Sequence, residues 1–187
     1  MEYQERLICF IDLLGFKDAI DQSEQEDEVR KRLFEVFEEF RDGGFERFMY
    51  GSVPYMTGRG LNSAGEIYGD EVIARLDSDY DLVVTQFSDS FVISAPMNNP
   101  ASCELLFRSL AIIKIAFFFN LGMLMRGGMT VGKLVHKRGG ALFGSAMNEA
   151  YAIESKLASY PRVVVSESAY RFLNSIFSGM KYDGVSN

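Results

Sequence analysis

Two cysteines and one histidine are all that 187 residues offer in soft-metal and redox chemistry. Neither a disulfide framework nor a zinc pattern can be assembled from Cys9, Cys103 and His136. Cationic charge is also short: 19 Lys and Arg stand against 26 Asp and Glu, for a net charge of -7. That balance argues against a nucleic-acid backbone or an anionic membrane as the main partner. A small polyanionic substrate stays open where a metal and local cations meet it. No apolar run reaches the ~20 uninterrupted residues that cross a bilayer. The longest, LAIIKIAFFFNLGMLM, is broken by Lys114, Asn120 and Gly122 and reads as a buried helix running into a strand. With no amino-terminal signal segment the expected compartment is the cytoplasm. No repeat, low-complexity tract or separate sensor domain is visible, so any trigger is expected to act on this domain directly.

What is present is a hydrophobic content of 48%, enough for one domain with a full core. A single domain over 1–187 is expected, with an irregular insertion at about 45–79. The organising stretch is LICFIDLLGF, an apolar, β-branched run that reads as a buried strand with Asp12 at its carboxyl end and a turn at Gly15 and Phe16. A carboxylate placed there costs on the order of several kcal/mol unless a cation or hydrogen-bond donors compensate it.

A helix is expected after Gly15, and a second, amphipathic one carries Val29, Leu33, Val36, Phe37 and Phe40 at helical spacing before Gly43 and Gly44 stop it. The acidic run Glu24 to Glu28 reads as its solvated start. The insertion is rich in Gly, Tyr, Ser and Met, and Tyr50, Tyr55, Arg59 and Tyr68 could stack on or steer a ligand, or simply pack. Asp81 to Pro96 alternates as a hairpin with Asp89 in a tight Ser88-Asp89-Ser90 turn. A helix follows from about Pro100 to Asn120, with Cys103 near its start and Leu105, Leu106, Ser109, Ile112, Ile113 and Ala116 on one face. Then come a strand from Met123 to Val131 containing Arg126, a return strand from Lys133 to Lys137, and a connection beginning at Gly139 and Gly140. A helix from Ser145 to about Ala158 has Ala146, Ala150, Ile153 and Leu157 as its inner stripe, and Pro161 prevents its continuation. RVVVSE makes a short strand before a last helix from about Glu167 to Phe177. The fold class is α+β: a ferredoxin-like βαββαβ core with extra strands and helices and an antiparallel-dominated sheet.

If the first strand pairs with the hairpin, Asp12 and Asp89 meet at one sheet edge. Two carboxylates there suit a hard divalent metal such as Mg²⁺ or Mn²⁺. Backbone amides at Leu14 to Phe16 ahead of a helix, with Arg126 on a neighbouring strand, add groups that hold phosphates. Singly, each piece has an ordinary reading: Asp12 as a helix N-cap, Asp89 as a hairpin-turn residue. His136 reads as structural or exposed rather than as a ligand, and Cys9 as core.

Four motifs in order, FIDLLGF, FSDSFVIS, RGGMTVG and LFGSAMNEAYAIES, resemble those of class III nucleotidyl cyclase catalytic domains, and the likeness covers most of the chain. The resemblance implies that Asp12 and Asp89 hold two divalent cations, Mn²⁺ or Mg²⁺, with the Leu13 carbonyl as an added ligand. It implies that Arg126 binds the triphosphate beside Gly15 and Phe16, and that Asn148 orients the ribose. Where the family has an arginine four residues after that asparagine, this chain has Ala152, which implies either weaker catalysis or a substitute cation from Lys156, Lys137 or Arg138. Purine cyclases of the family read the base with charged or thiol groups at the places held here by Thr85 and Ala141, which cannot supply them.

A missing purine code is similar to the pyrimidine cyclases of antiphage defence, which make cyclic UMP or cyclic CMP for a separate effector. UTP is favoured slightly over CTP, with Tyr50 a candidate base contact. The resemblance also implies a head-to-tail homodimer with sites at the interface, Asp12 and Asp89 from one chain and Asn148 from the other. The alternatives are a cyclase-like domain that binds a nucleotide, or nothing, without turnover, and a dinucleotide-making palm domain. The absence of a GGDEF-like hairpin and the presence of the FG pair and Asn148 helix speak against the palm domain.

Overall fold

The apolar run becomes β1 (Gln4–Leu14), which lies between two neighbours in the sheet of this computed structural model, whose described residues are 2–39, 49 and 79–179. Leu7, Ile8, Cys9 and Ile11 are all fully buried. A strand covered on both faces has no polar alternation, so it reads as a continuous hydrophobic run. Gly15, at φ 88°, makes the left-handed turn into α1 (Phe16–Ser23), which is followed by α2 (Asp27–Glu39). The helical spacing predicted for α2 holds: Leu33 and Val36 are buried, and Val29 and Phe37 pack against the same core. Phe40, Gly43 and Gly44 lie outside the described residues, as do Tyr50, Tyr55, Arg59 and Tyr68.

The expected hairpin is present as β2 (Val83–Phe87) and β3 (Ser90–Pro96), and β3 lies antiparallel beside β1 with Asp12 opposite Ser90. The next helix, α3 (Pro100–Leu121), is capped by the Asn99 side chain, which accepts from the Ser102 amide, and ends at Gly122 with φ 67°. The following segment corrects the expectation of two strands. It is one strand, β4 (Leu124–His136), antiparallel to β1 over its whole paired length, with Asp12 opposite Arg126. The two expected strands, Met123 to Val131 and Lys133 to Lys137, leave Gly132 between them. That glycine continues β4 opposite Arg6, where a Cβ would meet the Ala146 side chain at an ordinary contact distance of 3.4 Å.

A two-residue strand, β5 (Leu142–Phe143), pairs with the end of β4 and leads into α4 (Ser145–Leu157). The chain closes through β6 (Val163–Val165), parallel to β4, and α5 (Glu167–Gly179). The sheet order β2-β3-β1-β4-β5, with β6 on β4, is a mixed α+β fold of six strands. Its β1-β2-β3-β4 part has the strand order of the ferredoxin-like arrangement.

The two sheet faces bury different partners. Odd residues of β1, Leu7 to Leu13, join the larger core with α2, α3 and α5. Even residues Ile8 and Phe10 meet Ala146 and Ala150 of α4. Asp12 continues the even series, so the candidate carboxylate lies on the α4 side of the sheet.

Candidate active site

Three strand ends converge at Asp12. Its in-register neighbours are Ser90 on β3 and Arg126 on β4, and the Leu13 amide donates to the Asp89 carbonyl at 3.0 Å, tying the end of β1 to the β2–β3 turn. The expected meeting of Asp12, Leu13, Asp89 and Arg126 is therefore present. Arg126 Nη2 is 3.2 Å from Asp12 Oδ2, and the Ser90 hydroxyl donates to Asp12 Oδ1 at 3.4 Å. Burial pushes the Asp12 carboxyl above its ordinary pKa; Arg126 opposes the rise and the charge of Asp89 adds to it. The sheet thus places an incompletely neutralised acid beside a second one.

Arg126 is shared between two acids. Its Nε lies 2.5 Å from Glu154 Oε1 on α4, a charge contact without hydrogen-bond alignment. Glu154 is 3% exposed, and burial pushes its pKa up, with Arg126 opposing and Asp12 adding to the shift. The sequence reading missed this residue and gave its place on the inner stripe to Leu157, which is 54% exposed. One signal was available: an acid one residue after Ile153 falls on the same apolar stripe as Ala146 and Ala150. The close approach depends on Gly128, where a Cβ would lie 2.1 Å from the Ala150 carbonyl and 2.7 Å from the Glu154 amide nitrogen.

Gly15 and Phe16 open α1 with no side-chain cap, so its first amides are not satisfied by a capping group. Such a helix start is suited to an anion. Phe16 itself packs inward, edge-on to Phe37 at 5.6 Å.

The remaining expected residues lie elsewhere on the α4 side. Thr85, half-exposed on β2, has its hydroxyl 2.8 Å from His136 Nε2. His136 is buried at the end of β4, and its Nδ1 is 2.8 Å from the Ser94 hydroxyl. Ala141 is exposed, its carbonyl accepting from the Lys137 amide. Gly144 after Phe143 is required: a Cβ there would sit 2.3 Å from the Lys133 carbonyl. Asn148 is exposed, on the side of α4 away from Ala150 and Glu154, and its side chain has no hydrogen-bond partner among the described residues. Of the cations expected to stand in for the arginine absent at Ala152, Lys156 and Lys137 are exposed, while Arg138 donates to the Leu82 carbonyl at 2.9 Å.

Asp12, Asp89 and the Leu13 carbonyl offer oxygen donors only, the set taken by hard divalent cations. Among the described residues no three acid, His or Cys side chains gather as a metal-holding group. The protein's share would therefore be two carboxylates and a backbone oxygen, with water filling the rest. The repulsion between Asp12 and Asp89 is what a cation there would relieve, so the residues fit Mg²⁺ or Mn²⁺ by donor chemistry.

No family model matches the chain, and no curated protein matches its sequence. Among solved structures it is similar to the monomeric guanylyl cyclase domain of the RhoGC fusion protein from the aquatic fungus Blastocladiella emersonii. The identity is 13%, the likeness covers 94% of this chain and 88% of that one, and the TM-score is 0.46. At that distance the likeness carries no argument about chemistry. Among the described residues no helix is long and apolar enough to cross a membrane.

Proposed function

We propose that the chain is a nucleotide cyclase that converts a pyrimidine nucleoside triphosphate, UTP ahead of CTP, into its 3′,5′-cyclic monophosphate and pyrophosphate. The observation that carries this reading is the convergence of Asp12, Asp89 and Arg126 at one sheet edge, tied by the Leu13–Asp89 backbone bond. When bound at Asp12, Asp89 and the Leu13 carbonyl, two divalent cations would supply activation of the ribose hydroxyl and neutralisation of the departing pyrophosphate.

The chain's own residues position the rest. Arg126, one third exposed, presents a fork of donors that matches phosphate oxygens, and the α1 amides after Gly15 add dipole and N–H groups for the same anion. Asn148 faces away from its own chain's carboxylates, which supports a reciprocal homodimer in which it meets the sugar held by a second copy's aspartates. Thr85 and Ala141, both uncharged, border the base. In this reading the product is a second messenger for a separate effector, as in antiphage signalling.

Incubation with each of the four nucleoside triphosphates and Mn²⁺, followed by mass spectrometry, tests the proposal. Cyclic UMP or cyclic CMP is the expected product; no cyclic nucleotide from any substrate refutes it. A second reading, a nucleotide-binding regulatory domain without turnover, is favoured by the grip of Glu154 on Arg126 and by Ala152. Nucleotide binding without pyrophosphate release would establish it.

A further inference from the structure

A chain of hydrogen-bonding side chains runs from Arg6 to Thr85. Arg6 is 1% exposed and, as a guanidinium, can only donate. Its N–H groups are spent on Ser94 Oγ at 2.9 Å, on Gln4 Oε1 and Asp81 Oδ2, and on the carbonyls of Asp81 and Ser94. Ser94 is fully buried, and having accepted from Arg6 its hydroxyl has one other partner, His136 Nδ1. The hydroxyl therefore donates to Nδ1, the ring proton sits on Nε2, and Nε2 donates to Thr85 Oγ1.

The other tautomer would set two donors against the Ser94 oxygen and strand a buried hydroxyl hydrogen, which costs the full desolvation of that group. Burial, followed by the charge of Arg6, holds the His136 pKa down at about 4, so the ring carries one proton near neutrality. Thr85 thus accepts from His136, and its own hydrogen has no acceptor among the described residues. Had the relay run the other way, that hydrogen would be spent on the imidazole.

We infer that Thr85 reads the nucleobase as a hydrogen-bond donor, so the site takes a base with a carbonyl at the recognised edge in preference to one with an amino group. In a pyrimidine this selects uracil, through O4, over cytosine. An amino group would use the remaining Thr85 lone pair and leave the hydroxyl hydrogen desolvated and unpaired, worth about tenfold in affinity. His136, Ser94 and Arg6 act through Thr85 as positioning residues. The inference rests on the proposed placement of the base at Thr85 and goes beyond it by giving the reason for the choice.

Calorimetric binding of the 3′-deoxy forms of UTP, CTP, GTP and ATP with Mg²⁺ reads base preference without the reacting hydroxyl. UTP is expected to bind about tenfold more tightly than CTP, and GTP more tightly than ATP if purines enter. Thr85→Val should erase the ratio, Thr85→Ser restore it, and His136→Leu reduce it. Equal affinity for UTP and CTP, or a ratio unchanged in Thr85→Val, overturns the inference. Absence of any nucleotide binding overturns it together with the proposed function. A UTP preference without cyclic product sinks only the catalytic reading. Nitrogen NMR of the single imidazole gives an independent result on the folded protein: a proton on Nε2 is expected, and one on Nδ1 refutes the relay.

Discussion

Acidification should destabilise this chain through one histidine, and the effect can be isolated. His136 is 9% exposed between Thr85 and Ser94, with the Arg6 charge nearby and Asp81 on the far side of Arg6. Its pKa falls from 6.5 to about 4, burial being the larger cause and Arg6 the second. The unfolded chain therefore binds a proton that the folded one refuses, and stability present above the unfolded pKa is lost as pH falls toward the folded one. At about 1.36 kcal/mol per pKa unit the full span is worth about 3 kcal/mol, of which about 2 is lost by pH ~5. Asp12 and Glu154 act with the opposite sign. Their raised pKa values mean that the folded state favours their protons, and their contribution falls as pH rises. Comparing the wild type with His136→Gln cancels those acids. Urea unfolding near pH 8 and near pH 5 should show the stability difference between the two proteins change by about 2 kcal/mol, with the wild type losing more. A difference that stays constant within about 0.5 kcal/mol, or an imidazole NMR titration near the ordinary histidine value, would refute the argument.

Asp12→Asn and Asp89→Asn should each cut cyclase activity by ~10³-fold or more while changing unfolding free energy by less than about 1 kcal/mol, because each removes one charge from a cluster already rich in acid. Product assay and urea melt together check this, and retained activity counts against the site. Gly128→Ala should destabilise by about 3 kcal/mol, since its Cβ would fall on backbone atoms of Ala150 and Glu154; a urea midpoint close to wild type would contradict that packing. Cys9 and Cys103 are buried, with thiol pKa values raised, that of Cys103 to about 12. Iodoacetamide near pH 8 should label neither until the chain is unfolded, and labelling of the native protein would show that the burial is wrong.

The meeting of Asp12 with Asp89 was legible because strand periodicity and the hairpin turn each place a carboxylate at an element's end, and antiparallel pairing does the rest. The unbroken length of β4 was not legible because local pattern does not distinguish a glycine at which the chain turns back from one that a long strand runs through, as β4 does at Gly132. For Glu154 the stripe position was legible but the partner was not: Arg126 stands twenty-eight positions earlier on another element, and local pattern carries no trace of that pairing. His136 was read as structural or exposed; the structure gives it a buried place in a polar relay whose members come from β1, β2, β3 and β4.

Gly128 lets the backbone of α4 come directly against that of β4, at a point where any side chain would fall on the Ala150 carbonyl and the Glu154 amide. Asn148 lies on the opposite, exposed side of that same helix, where a second copy could meet it. In the proposed cyclase the site would form only when two copies meet, so at low concentration the total rate should rise with the square of protein concentration and activity per molecule in proportion to it, until pairing saturates.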